Sequence, residues 1–417
     1  MKKYVLFTNN ISGIGGAELY IIRKSNYLEN IDYKVYIITG NNTPINLNDF
    51  NKINTIEIKE VLYPTNVFNA NKKSKIMNTI CNFIDYNIED KIYIESHQTG
   101  PALWAEIFAS QINSTNIVYA LAPFSIKRTV YNYYFNEKLN RNEFLGCNKT
   151  FIKSNFPNIE TTNNYINIPF DKDEIKILNC IKKDSTYDLN ILTISRVEKT
   201  YLQSSIIEIS KLARDNKEIN IKYDIYTDKT SGDLYEKLRN IINEYQYQNL
   251  IVNLKGPVNP LNNCVFKNQD IFIGMGTSLL NASSMKLPSL VVDYRNNKCY
   301  GFFGEDYFEF GSGEYTAQKE CSYFIMNFVK NINEKTILGD KAYELFINEF
   351  ENKAVNERFI NYIEEHSCKF ETNMKMPNGI FDFRDFFDSV LIRLFGIKIS
   401  LKIRKYIINI LHSRKII

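Results

Sequence analysis

Chemistry-bearing residues recur where apolar runs end. His97 follows IYIES, Arg196 follows ILTIS, and a Gly-Met-Gly-Thr-Ser turn (274–278) follows DIFI. Gly15 and Gly16 follow the first apolar run, KYVLFT, after a short loop. A glycine turn that feeds a helix leaves N–H groups unpaired beside the positive end of a helix dipole, and such an end binds phosphate. The set therefore offers a guanidinium, an imidazole and two helix N-termini. That combination suits a nucleotide diphosphate and stabilises it as a leaving group. Each residue also has a plainer use. Arg196 can pair with its neighbour Glu198, and His97 can be a structural histidine at a strand end.

Other classes fit less well. A nicotinamide dehydrogenase needs GxGxxG directly after the first strand and an acid ending the second. Here Glu18 stands where the last glycine belongs, and IITGNN (37–42) carries no acid. No His, Cys and Asp cluster has metal-ligand spacing, so no metal and no cofactor is expected. A net charge of +4 over 417 residues is too small to argue for nucleic acid as a partner. Seven scattered cysteines form no CxxC pair, which fits a reduced cytoplasmic compartment better than a disulfide framework. MKKYVLF is too short for a signal peptide and fits a first strand. No run approaches transmembrane length.

These residues need elements to hold them. At 417 residues the chain exceeds one ordinary core. Strands are expected at 3–8, 34–39, 55–61, 91–95, 116–120 and 150–153, with helices near 17–29, 74–85, 101–111 and 126–139. In the first helix Ala17, Tyr20, Ile21, Tyr27 and Leu28 share one face. After a polar stretch, 172–188, the alternation starts again. Strands are expected at 188–195, 219–226 and 250–254, then at Ile271–Ile273 and in SLVVD, with helices between and after them. Strands alternating with helices predict doubly wound α/β sheets, with ligands outside the carboxyl ends of the strands. The expected division is 1–180, 181–370 and a tail, 371–417.

At this point a family resemblance enters. GIGGAE (13–18) resembles the N-terminal glycine loop of retaining glycosyltransferases of family 4, the GT-B group with two facing Rossmann-like domains. IYIESHQTGPALWAEIF (92–108) resembles their strand–His–helix segment and YINIPFD (165–171) their hinge. ILTISRVEK (191–199) resembles their arginine motif. DIFIGMGTSLLNASSMKLPSLVV (270–292) resembles their donor-binding segment, in the form seen in polysaccharide-assembly members. The resemblance implies His97 and Arg196 as catalytic residues. It implies Gly15, Gly16, Lys199, Gly276, Thr277, Ser278 and Asn281 as donor-binding residues. The family usually has two glutamates seven residues apart. Asn281 holds the place of the second, which binds the ribose, and the first has no counterpart. The lysine expected about five residues after the arginine falls on Tyr201.

What the resemblance implies is metal-independent transfer of a sugar, with retention, from a nucleotide-diphosphate sugar. The acceptor would be a saccharide or lipid-linked saccharide, in bacterial surface polysaccharide synthesis. The donor phosphate oxygen would take the acceptor proton, so no protein nucleophile is needed. The departures leave an alternative: a degenerate GT-B subunit that binds a partner enzyme or glycan. Finally, residues 391–417 hold seven Lys or Arg and no acid among many apolar residues. Such a segment suits an anionic membrane surface and places the protein on the inner face of the cell membrane. Gly396 and the alternation IKISLKIRK predict two short pieces. The other reading is a terminal helix pair packed on the core.

Overall fold

The computed structural model describes residues 1–11, 16–41, 53–121, 129–156, 164–180, 186–311, 318–366 and 383–413. They form two compact units. One contains residues 1–168 and 356–417, the other 169–355.

The first unit is built on a six-stranded sheet. Its strands are β1 (Lys2–Thr8), β2 (Lys34–Thr39), β3 (Asn54–Glu57), β4 (Lys91–Ser96), β5 (Asn116–Ala120) and β6 (Phe144–Gly146). The order is β3-β2-β1-β4-β5-β6, and every pair is parallel. Parallel strands are covered on both faces, so they read as continuous apolar runs. In β1, Tyr4, Val5, Leu6 and Phe7 are all buried. The helices that cover the sheet are α1 (Gly16–Asn30), α2 (Ala70–Phe83), α3 (Thr99–Gln111), α4 (Thr129–Asn140) and α5 (Lys149–Asn155).

The second unit repeats the plan. Its strands are β7 (Leu189–Ser195), β8 (Ile221–Thr227), β9 (Leu250–Lys255), β10 (Ile271–Gly274), β11 (Ser289–Val292) and β12 (Cys299–Phe302). They lie in the order β12-β11-β10-β7-β8-β9, parallel except for β12. Its helices are α6 (Tyr201–Asp215), α7 (Asp233–Glu244), α8 (Thr277–Ser284), α9 (Cys321–Lys330) and α10 (Lys335–Glu349). Both sheets reverse strand order beside their first strand, β1 or β7. That reversal is the switch point where doubly wound sheets place their ligands.

Two expectations need correction, and one strand was not foreseen. Residues 150–153 are helical, inside α5. Asn148 caps that helix by accepting from the Phe151 N–H at 2.6 Å, and the strand comes earlier, as β6. The antiparallel β12 was not foreseen. Cys180 and Cys264 form a disulfide, Cα atoms 5.5 Å apart. The backbone explains it: Lys176 N donates to Leu261 O and Asn263 N to Lys176 O, laying two segments distant in sequence side by side. The tail packs on the first unit, as the second of its two readings has it. α11 (Asn352–His366) and α12 (Phe383–Ser413) bring apolar residues to the first unit. Phe359 meets the Tyr119 ring edge-on at 5.1 Å, and Ile392, Ile397 and Leu401 pack on the core of the first sheet. The bend at Gly396 (φ 73°) divides α12 into the two pieces expected.

Candidate functional site

In the first unit, His97 directly follows β4. Its backbone N–H donates to Phe7 O at the end of β1, and the next residue, Gln98, opens α3 at φ 60°. The imidazole is buried. Its Nε2 lies 2.7 Å from Glu95 Oε1, and the ring meets Tyr20 edge-on at 5.5 Å. Glu95 is the hub of this region. It accepts from Tyr4 and Tyr20 hydroxyls at 2.5 Å each and pairs with Lys24 Nζ at 2.8 Å. All five side chains are buried.

The electrostatics follow from those contacts. Burial alone would push the Glu95 carboxyl up, but Lys24 and the His97 ring outweigh it and hold it down, at about 2. Burial lowers the Lys24 ammonium to about 8, against the pull of Glu95. An ionised Glu95 accepts only, so His97 Nε2 carries the hydrogen of that bond. In the neutral ring Nδ1 is then an acceptor, and it has no partner among the described residues. An unmet buried acceptor costs about 1–3 kcal/mol unless a donor reaches it. A sugar hydroxyl is such a donor.

In the second unit the turn after β10 reads as expected. Gly276 caps α8 at φ 70°, ψ −148°, a backbone region that is essentially restricted to glycine. Among the described residues, its chain neighbours aside, no heavy atom lies within 4 Å of where a Cβ would be, so backbone conformation, not space, demands the glycine. Its own N–H is used, donating to Phe310 O. The N–H groups of Thr277 and Ser278 open the helix and have no intrahelical acceptor. Thr277 is exposed, and the Ser278 hydroxyl turns back to Met275 O at 3.1 Å. Asn281, half-buried, lies one turn on, on the face of Thr277 and Ser278.

Arg196 directly follows β7 and is 63% exposed, its guanidinium 3.1 Å from Glu198. The ion pair that the plainer use requires is present. An exposed pair of this kind is worth about 0–1 kcal/mol and exchanges easily for another anion. Lys199 points its ammonium at the Tyr294 ring, 5.3 Å from the centroid. Tyr201 is buried in the core of its sheet, where burial pushes its hydroxyl up to about 12. It cannot replace a lysine. Gly16 opens α1, while Gly15 lies outside the described residues.

The Glu95–Lys24 pair was missed by sequence reasoning. The available signal was a glutamate inside an otherwise apolar buried strand, together with a lysine on the buried side of α1. A second missed cluster follows β11. Buried Asp293 accepts from Arg295, Tyr300 and Gln318 at 2.6, 2.7 and 2.9 Å. Burial would raise its carboxyl, but Arg295 leads the bonds that hold it well below the carboxylate range. A groove of about 960 Å³ between α6 and α9 is lined by Glu208, Lys211, Lys298, Lys319 and Glu320, and by no expected site residue. No group of three or more His, Cys, Asp or Glu among the described residues could hold a metal ion.

No protein-family model matches the chain, and no curated protein does. Solved structures do. A glycosyltransferase from Rickettsia africae superposes with TM-score 0.65 at 15% identity, over 88% of this chain and 98% of that one. Sucrose-phosphate synthase from Thermosynechococcus elongatus gives 0.54 at 10%, over 88% and 98%. A lipopolysaccharide outer core galactosyltransferase in its apo form gives 0.53 at 13%, over 88% and 99%. At these identities the likeness establishes the fold: two mostly parallel α/β units of the GT-B type.

Proposed function

We propose that the protein is a glycosyltransferase that moves a sugar from a nucleotide-diphosphate sugar to a saccharide or lipid-linked saccharide. The observation that carries this reading is the β10–α8 turn. There Gly276 holds a backbone conformation reserved for glycine at a strand end, and opens a helix whose first turns carry Thr277, Ser278 and Asn281 on one face. The GT-B fold of the solved neighbours supports the reaction class.

In this reading the α8 N-terminus and Arg196 take the diphosphate, and Asn281 bonds the ribose. Lys199 joins only by leaving Tyr294. Gly15 and Gly16 are proposed as donor-binding residues. His97 Nδ1 accepts a hydroxyl hydrogen from the transferred sugar or the acceptor. The reaction retains configuration and needs no metal: the departing phosphate oxygen takes the acceptor proton. The protein contributes orientation and electrostatics. The setting is bacterial surface polysaccharide synthesis at the cytoplasmic face of the membrane. No described helix is long and apolar enough to cross a membrane.

Thermal unfolding with UDP, GDP and CMP tests the donor half. A nucleotide at a hundred times its Kd stabilises by about 2.7 kcal/mol, a shift of several degrees. No shift with any nucleotide contradicts the assignment.

A second reading has a specific basis. Asn281 lacks the charge of a carboxylate, and Tyr201 is locked in the core. A degenerate subunit that binds a partner enzyme or glycan would have these losses. Asn281→Glu separates the two. In an enzyme with a weakened ribose contact it tightens nucleotide binding, measured by calorimetry. In a diverged site it leaves binding absent and buries an unpaired charge.

A further inference from the structure

α12 is two-sided. One face is fixed to the first unit. Asp385 accepts from the Tyr131 hydroxyl, Ser400 bonds Tyr63 at 3.2 Å, and Leu391 is buried. The Arg404 guanidinium sits over the Tyr63 ring at 5.2 Å and pairs with Asp388 at 3.6 Å. The other face is open. Eight of the twenty large apolar side chains that stand exposed among the described residues lie between 383 and 407. They include Phe383 (81% exposed), Leu394 (69%) and Tyr406 (68%). Leu394 and Phe395 are exposed before the bend at Gly396, and beyond it Ile399, Lys402 and Tyr406 follow one another at helical spacing of three or four, all exposed. Arg393, Lys398 and Lys405 flank that stripe, also exposed, while the acids of the same segment, Asp385 and Asp388, are buried.

We infer that the outer face of α12 is a docking surface for an anionic lipid bilayer. The charges decide the occupant. An exposed apolar stripe alone fits a protein partner or a second copy equally well. An apolar stripe bordered only by bases, with every described acid of the helix turned inward, complements a negative surface. A second copy would place the same bases against each other. The inference refines the proposed membrane contact of residues 391–417. It moves the start upstream to Phe383, fixes which face inserts, and makes the inner face part of the fold. It rests on the geometry of α12 alone, so its test uses no sugar nucleotide and can fail independently of the transfer reaction.

The test is co-sedimentation of the full chain with phosphatidylglycerol–phosphatidylcholine vesicles and with phosphatidylcholine vesicles. One variant combines Arg393→Gln, Lys398→Gln, Lys402→Gln and Lys405→Gln. A second combines Leu394→Ser, Phe395→Ser and Ile399→Ser. All seven side chains are exposed, so both variants should unfold at the temperature of the unaltered chain. The unaltered chain should pellet with the anionic vesicles at low salt and less so as salt rises. The charge variant should lose at least about a hundredfold in partitioning, and the apolar variant more than about tenfold. Failure to pellet, or unchanged pelleting of both variants, overturns the assignment. So does a concentration-dependent dimer that the apolar variant abolishes, since a second copy would then be the occupant.

Discussion

The two units share a strand order but hold their candidate site residues at the strand ends in different ways. In the first, charge is buried and paired: Lys24, Glu95 and His97 form one network under Tyr4 and Tyr20. A similar group, Lys138 with Glu106 and Glu143 at 2.7 and 2.6 Å, lies between α3, α4 and β6. In the second, the expected anion site is assembled from backbone and exposed side chains: a glycine turn, a helix end, Arg196 on Glu198 and Lys199 on Tyr294. Buried pairs fix geometry and are costly to break. Exposed charges can change partners when a ligand arrives. The difference is one of preparation: the first unit fixes its histidine in a buried network, whereas the candidate side chains of the second, Arg196 and Lys199, have only exchangeable partners.

The largest effect follows from breaking the first network. Glu95→Gln strands Lys24 in the core and should cost about 3–5 kcal/mol of stability, read by denaturant unfolding. The acid response has a definite sign. The Glu95 carboxyl is held below its usual range, so its contribution is present above that range and is lost as pH falls toward about 2.

Arg196→Ala should behave in the opposite way. Its exposed pair with Glu198 contributes little to stability, so unfolding should move by under about 0.5 kcal/mol. Nucleotide affinity should fall by about 1.5–3 kcal/mol. Calorimetry and unfolding on the same variant check both halves. A large stability loss with unchanged affinity would return Arg196 to its pairing role.

Next comes Gly276→Ala. With no described residue but its chain neighbours within 4 Å of the new methyl, the expected cost of about 1–3 kcal/mol is backbone strain. Nucleotide binding should weaken as the turn relaxes.

The smallest effect lies in the groove between α6 and α9. Burial raises the Glu208 carboxyl to about 7, with Glu320 adding to the rise. Since Glu208 binds its proton more tightly in the fold, stability falls as pH rises from the usual carboxylate range to about 7. Glu208→Gln should recover under about 1 kcal/mol above pH 7, because the group is partly screened by solvent. Below the carboxylate range the variant should match the parent chain.

Legibility from sequence follows the same division. The glycine turn of the second unit was readable because it is local: an apolar run, Gly-Met-Gly-Thr-Ser, then a helix that stops before Pro288. The two-piece character of α12 was readable from Gly396. The Glu95–Lys24 pair was not, because it joins β4 to α1 across a distance in sequence that no periodicity reports. The disulfide of Cys180 and Cys264 has the same cause, with a sequence separation of 84 between its ends. α5 was misread because TFI is apolar and β-branched; its cap, Asn148, was the signal against a strand. The packing of the tail was open in the sequence because seven basic residues without an acid are mixed through its apolar ones. Its anchoring residues, Leu391, Ser400 and Leu401, are individually unremarked.

The central claim is sugar transfer, and release of free nucleotide tests it most directly. The full chain would be incubated with a panel of UDP-, GDP- and CMP-linked sugars, and free nucleotide followed over time. One donor should give steady release, reduced in His97→Ala by more than nucleotide affinity falls, since that contact is to the sugar end. Release from no donor, with nucleotide binding intact, would contradict transfer and leave the degenerate binding subunit as the reading.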